Sequence, residues 1–141
     1  MNPVENDMRL NTYLSFNGDC RQALEFYARH LGGQVSAMQT FGDTPGCDQL
    51  PAEARDLIMH GRLDVGAYTI MGTDATPDHP YTPIQGSHLV ADVDTPEQAE
   101  ALFAAFSEGG QVELPLQPMF WARRYAILTD RHGVRWMINC T

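Results

Sequence analysis

The chain contains no lysine: all nine of its basic residues are arginine. That absence excludes Schiff-base chemistry, and with it any phosphate loop that relies on a lysine to grip the phosphates. Basic residues are scarce as well, nine against eighteen acidic ones, and the net charge of −9 repels phosphate backbones and anionic headgroups. Nucleic acid is therefore not an expected partner. No apolar run approaches the ~20 residues that a membrane helix needs, so no membrane partner is expected either. Cysteine is sparse and odd in number, at positions 20, 47 and 140. Three widely spaced thiols make no disulfide framework and point to a reducing compartment, the cytoplasm. Cys47 sits in a Gly/Pro-rich loop with no His or Arg beside it to activate it, and reads as an ordinary thiol rather than a reactive one. Also missing are a Cys-x-x-Cys pair, a Ser-His-Asp spacing and a dinucleotide fingerprint. The opening MNPVENDMR is acidic and polar, unlike a secretory or transit signal.

What is present is a repeated pattern. Leu10 to Phe16 alternates Leu10, Thr12, Leu14 and Phe16 against Asn11, Tyr13 and Ser15, the mark of a strand with one buried face. Asn17, Gly18 and Asp19 supply a turn and an N-cap, and CRQALEFYARHL then spaces Ala23, Leu24, Tyr27 and Leu31 for a helix that ends at Gly32 and Gly33. Gln34 to Phe41, Leu57 to Leu63 and Ala67 to Gly72 read as three further strands, the last two joined near Asp64 to Gly66. The order is βαβββ.

From Ser87 the order restarts. HLVADV alternates Leu89, Ala91 and Val93 against His88, Val90 and Asp92; Thr95 and Pro96 open a helix whose stripe is Ala99, Leu102, Ala105 and Phe106; Gly109 and Gly110 close it. Gln111 to Gln117, Arg124 to Thr129 and Val134 to Cys140 complete the strands. A shift of 77 residues lays Gly32-Gly33-Gln34-Val35 on Gly109-Gly110-Gln111-Val112, Phe26 on Phe103 and Asn11 on His88. A duplication inside a single 141-residue domain follows, with one module over 8–74 and the other over 85–141. Two Pro- and Gly-rich segments break the symmetry. GDTPGCDQLPAEARD, from Gly42 to Asp56, is expected to border the ligand site and to move more than the strands; TDATPDHPYTPIQG is either functional or the linker between modules.

YLSFNGDCRQALEFY followed by LGG, then IMHGRL, IMGTD and LPLQPMFWARRYAILTDRHGVRWMIN, together resemble the PhnB-like branch of the vicinal oxygen chelate superfamily, which holds glyoxalase I, bleomycin and fosfomycin resistance proteins and extradiol dioxygenases. The likeness runs from Leu10 to Asn139. It implies an α+β fold in which two tandem βαβββ modules form a cupped mixed sheet, with helices on the convex face and a cavity on the other. Members of the branch are often labelled methyltransferases, but no glycine-rich S-adenosylmethionine loop opens a βαβ unit here. By alternation Asn11, Tyr13, Ser15, His88, Val90, Asp92, Arg135, Met137 and Asn139 would line the cavity, and Leu14, Phe16, Leu89, Trp136 and Ile138 would face the helices.

In metal-dependent relatives four strand positions supply His, Glu or Gln ligands. The resemblance places Asn11, His88, Met137 and either Ile70 or Met71 at those positions. One ligand of four is retained, so no metal and no other cofactor is expected. His88 and His60 then read either as groups that hydrogen-bond a ligand or as histidines satisfied within the sheet. His30, His79 and His132 fall at a helix end and in turns, and read as bystanders. Trp121, Arg123, Arg124 and Tyr125 form the densest aromatic and cationic cluster. Its arginines either grip an anionic ligand or pair with nearby carboxylates while the aromatics fill a core rim or a dimer interface. The expected ligand-binding set is Asn11, Tyr13, His60, His88, Trp121, Arg124 and Met137, and the expected partners are a small aromatic or amphipathic molecule and a second copy of the chain. The alternative function is a divalent-metal-dependent lyase, isomerase or dioxygenase working through His88.

Overall fold

The computed structural model describes residues 8–46 and 50–141. Cys47 lies outside the described residues, as does the centre of the segment expected to be mobile. The chain divides into two compact units, Met1–His79 and Pro80–Thr141, each built around a four-stranded mixed sheet.

In the first unit β1 (Thr12–Phe16), β2 (Gln34–Thr40), β3 (Ile58–Val65) and β4 (Tyr68–Asp74) are ordered β1-β4-β3-β2, with β1 parallel to β4 and the other pairs antiparallel. Helix α1 (Cys20–Leu31) connects β1 to β2 and buries Cys20, Ala23, Leu24, Phe26 and Tyr27. Its start is fixed by a buried carboxylate: Asp74 Oδ1 accepts from the Cys20 amide at 2.9 Å and Oδ2 from the Ile58 amide at 2.8 Å. One side chain thus ties α1, β3 and β4 together, satisfying a helix N-terminal N–H that has no partner within the helix. Between β2 and β3 the chain makes a 3₁₀ turn at Phe41–Asp43, capped reciprocally by Thr40 and Asp43, and a short helix α2 (Ala52–Arg55) that buries Ala54. The segment thus has more anchorage than its composition suggests.

The second unit repeats the plan with β5 (Leu89–Asp92), α3 (Pro96–Ser107), β6 (Gln111–Met119), β7 (Ala122–Thr129) and β8 (Arg135–Cys140), ordered β5-β8-β7-β6. Thr95 caps α3, accepting from the Gln98 amide at 3.2 Å while the Gln98 side chain returns to the Thr95 amide at 3.1 Å. Ala99, Leu102 and Phe106 are buried, and the Phe106 ring lies 4.9 Å from that of Trp136.

The repeat holds in register where β1 meets β4 and β5 meets β8. Thr12 pairs with Ile70 as Leu89 pairs with Trp136, which makes Met71 the counterpart of Met137 and excludes Ile70 from that role. The twice-used GGQV has a steric cause. Gly32 and Gly109 adopt φ of 73° and 74°, the left-handed conformation that ends a helix without a Cβ penalty. At the following glycine a side chain would collide with a strand carbonyl, Asp64 O for Gly33 and Thr129 O for Gly110, which are equivalent positions in β3 and β7.

Candidate functional site

Each sheet has one face against its helix and one face free of it. In the second unit Ala91, Ile138 and Ala126 are in register across β5, β8 and β7, as are Leu89, Trp136 and Leu128; the buried β7 and β8 members of these rows mark the helix side. The alternate rows, Val90-Met137-Ile127 and Asp92-Asn139-Tyr125, therefore lie on the open side. Val90 is 53% exposed and Asp92 is exposed too.

This open face carries a connected wall. The Tyr125 hydroxyl donates to Met137 Sδ at 3.2 Å, and the Tyr125 ring packs edge-on against Trp121 at 5.3 Å. Trp121 in turn meets Phe120 at 4.7 Å in the β6–β7 turn. Beside the wall, Asn139 Nδ2 donates to Asp92 Oδ1 at 2.9 Å. Because a carboxylate accepts only, this bond fixes the amide orientation and leaves Asn139 Oδ1 buried with no partner among the described residues. His88 immediately precedes β5, and its Nε2 is likewise buried and unpartnered among the described residues. The Asp92 carboxylate, four residues along β5, is hydrogen-bonded to Asn139 instead.

The first unit brings Tyr13 and His60 together. Gln39 pairs with His60 and Thr40 with Ile58, so β3 carries one extra residue, Met59, at a bulge. Ile58 and Gly61 are both buried on the α1 side, and a Cβ on Gly61 would strike Leu24. Strict alternation from Ile58 would have sent His60 toward the helix; the bulge turns it to the open side, where its Nδ1 lies 3.3 Å from the Tyr13 hydroxyl. Burial, followed by the nearby Cys20 thiol, raises the Tyr13 pKa above the ordinary phenol value, while a hydrogen bond with Thr73 opposes them. Tyr13 is thus held as a protonated phenol. Arg62, in register with Met71 on the same face, is engaged by Asp64 at 3.1 Å and by Thr69 at 3.4 Å.

One expected ligand-binding residue changes place. Arg124 is in register with the buried Cys140 and ion-pairs with Glu100 of α3 at 3.7 Å, so it stands on the helix side, away from Trp121's wall. Arg123 is spent on backbone carbonyls, Thr141 O at 2.8 Å and Asp94 O at 2.7 Å. The pairing reading of these arginines thus describes Arg124, and neither presents a free guanidinium to the wall. Asn11 is exposed just before β1. His132 and the β7–β8 turn are organised by Asp130, a buried carboxylate inside the LTDRHGV stretch to which the sequence assigned no role. It accepts from the amides of His132 and Val134 at 2.8 and 3.1 Å and from the Trp136 indole at 2.8 Å.

The four positions that would hold a metal offer unequal donors. Asn11 offers a weak amide, Met71 and Met137 offer thioethers, and Met137's sulfur already accepts from Tyr125. Only His88 is a good ligand, and among the described residues no group of three or more His, Cys, Asp or Glu side chains converges. The set does not fit zinc, nickel, iron or manganese.

A family model described as the Glyoxalase/Bleomycin resistance protein/Dioxygenase superfamily matches residues 9–138. Protein YjdN of Escherichia coli (strain K12) is 33% identical over 140 residues, covering 94% of this chain and 95% of that protein. The crystal structure of protein PA1353 from Pseudomonas aeruginosa is 46% identical, with a TM-score of 0.87 over 95% of this chain and 98% of its own. A Bacillus cereus structure described as a putative 3-demethylubiquinone-9 3-methyltransferase, PhnB protein, has a TM-score of 0.78 at 18% identity, covering 95% of this chain and 100% of its own, a likeness of fold.

Proposed function

The chain belongs to the Glyoxalase/Bleomycin resistance protein/Dioxygenase superfamily, and from that premise we propose that it is a cytoplasmic, PhnB-like protein that binds a small aromatic or amphipathic molecule on the open faces of its sheets without a metal. The observation that carries this reading is the state of Met137. At a position where metal-dependent relatives supply a His, Glu or Gln ligand, this chain has a thioether that accepts from the Tyr125 hydroxyl and continues an aromatic wall through Trp121. Such a wall, with a few polar groups beside it, suits a flat apolar ligand. Tyr13 and His60 supply hydrogen-bonding groups on the other sheet. Among the described residues no helix is long and apolar enough to cross a membrane.

Protein purified without chelator should contain no stoichiometric Zn, Ni, Mn or Fe, and amphipathic aromatics should quench its tryptophan fluorescence in a manner that Trp121→Ala reduces. A stoichiometric metal would overturn the reading. The alternative, a divalent-metal-dependent lyase, isomerase or dioxygenase using His88, draws on one observation, the buried Nε2 without a partner among the described residues. The remaining donors argue against it, and we derive no chemistry through a metal. A homodimer is part of the same proposal: Phe120 is 97% exposed and offers an apolar anchor for an isologous interface. Light scattering that gives a monomer mass at micromolar concentration would remove it.

A further inference from the structure

We propose that the second sheet's open face selects a cationic ligand, a planar aromatic carrying an ammonium or amidinium group, with Asp92 and Asn139 as the residues that read the charge. This deepens the reading above and rests on it.

Asp92, Asn139 and Tyr125 are successive members of one row across β5, β8 and β7. The row places a carboxylate and a stacking surface two strand spacings apart, about 10 Å, the reach of a ring system with an amino substituent. Asp92 is exposed, its one hydrogen bond comes from the Asn139 amide, and no arginine or histidine ion-pairs with it among the described residues. The arginines of this sheet are engaged elsewhere: Arg123 with two carbonyls, Arg124 with Glu100 on the helix side, and Arg135 with Glu113 at 2.6 Å. Next to the carboxylate, Asn139 Oδ1 is a second acceptor with no donor among the described residues. Two adjacent acceptors, one charged, want a ligand that donates and is positive. The ring faces of Trp121 and Tyr125 favour a cation over an anion through their quadrupoles, and the chain's net charge of −9 acts in the same direction at longer range. Asn139 Oδ1 is closed off in this conformation, so its engagement requires the neighbouring side chains to move when the ligand enters.

The test uses three probes with one ring system: 2-naphthylmethylamine, 2-naphthylmethanol and 2-naphthoate, titrated by calorimetry at neutral pH. The amine should bind up to about fivefold more tightly than the alcohol, the fold-change expected of one exposed charge pair, with the naphthoate weakest. Asp92→Asn, which keeps a hydrogen-bonding group opposite Asn139, should bring the amine down to the alcohol's affinity with an unchanged melting temperature. Trp121→Ala should weaken amine and alcohol alike and preserve their ratio. The inference is overturned if the alcohol binds and the amine gains nothing over it, if Asp92→Asn leaves the preference intact, or if millimolar calcium displaces the amine completely, which would make Asp92 a metal group. If none of the three probes binds, the small-molecule reading itself falls; if the neutral and anionic probes bind and the cation does not, only the charge selection does.

Discussion

His60 meets the Tyr13 hydroxyl at 3.3 Å, across 47 residues of sequence, because one extra residue in β3 rotates it away from α1. Neither residue is part of the packed core, and Tyr13 is 51% exposed. On the proposed reading the pair serves the ligand face rather than the stability of the fold. Tyr13→Phe should weaken binding by about 0.5–1.5 kcal/mol, the net worth of one hydrogen bond, and move folding stability by no more than about 0.5 kcal/mol. Calorimetric titration beside chemical denaturation checks both halves. A stability loss with unchanged affinity would return the pair to a structural role.

Asp130 should behave in the opposite way. Its carboxylate takes two amides and the Trp136 indole in a buried site, and Asp130→Ala removes the acceptor for all three while opening a void. At about 1–3 kcal/mol for each buried group deprived of a partner, a loss of roughly 3 kcal/mol or more is expected. Urea denaturation followed at Trp136 would show it as a lower midpoint. A midpoint within experimental error of wild type would mean that the β7–β8 turn holds without this clamp.

Cys20 has a pKa pushed up to about 12 from 9.0, first by burial and then by the Asp74 and Asp19 carboxylates, with Arg21 opposing. A thiol whose pKa is raised in the folded state contributes stability that is fully present below pH 9 and is lost as the pH climbs through about 12. Denaturation midpoints should fall across that alkaline window, and Cys20→Ala should flatten part of the fall. At pH 8 iodoacetamide should modify Cys20 only as fast as the protein opens. Rapid alkylation of the native protein would contradict this.

Helix α1 was legible from its first residue to its last because turn, apolar stripe and terminal glycines all point to the same boundaries. Helix α3 began where Thr95 and Pro96 place it, and the repeat in GGQV proved to be a repeat in geometry. Alternation placed the rows containing Val90 and Asp92 correctly because β5 and β8 pair without a bulge. It left His60 unassigned for the converse reason: the bulge at Met59 exists only in the pairing with β2, and a single strand's sequence does not contain its partner. Arg124 misled by proximity. It is three residues from Trp121, but adjacent residues in a strand point to opposite faces, and its partner Glu100 lies on a different element. The clamps at Asp74 and Asp130 left no local signature either, since most of their donors are backbone amides.

The metal question turns on His88. It is the one conventional ligand among the four positions, and its Nε2 is buried without a partner among the described residues. If it bound a divalent ion with micromolar affinity, 100 µM metal would stabilise the fold by about 2.7 kcal/mol, since only the native state assembles the site. In a domain of this size that is a rise of several degrees in melting temperature. The donor set argues for none: one imidazole, one exposed amide and two thioethers hold a borderline ion poorly. Zinc, nickel and manganese titrated separately at that concentration should leave the melting temperature of wild type and of His88→Ala unchanged relative to their metal-free values. A rise in wild type that His88→Ala abolishes would establish a site built on ligands the family positions do not supply. It would also move the chain from a binding protein to a candidate enzyme.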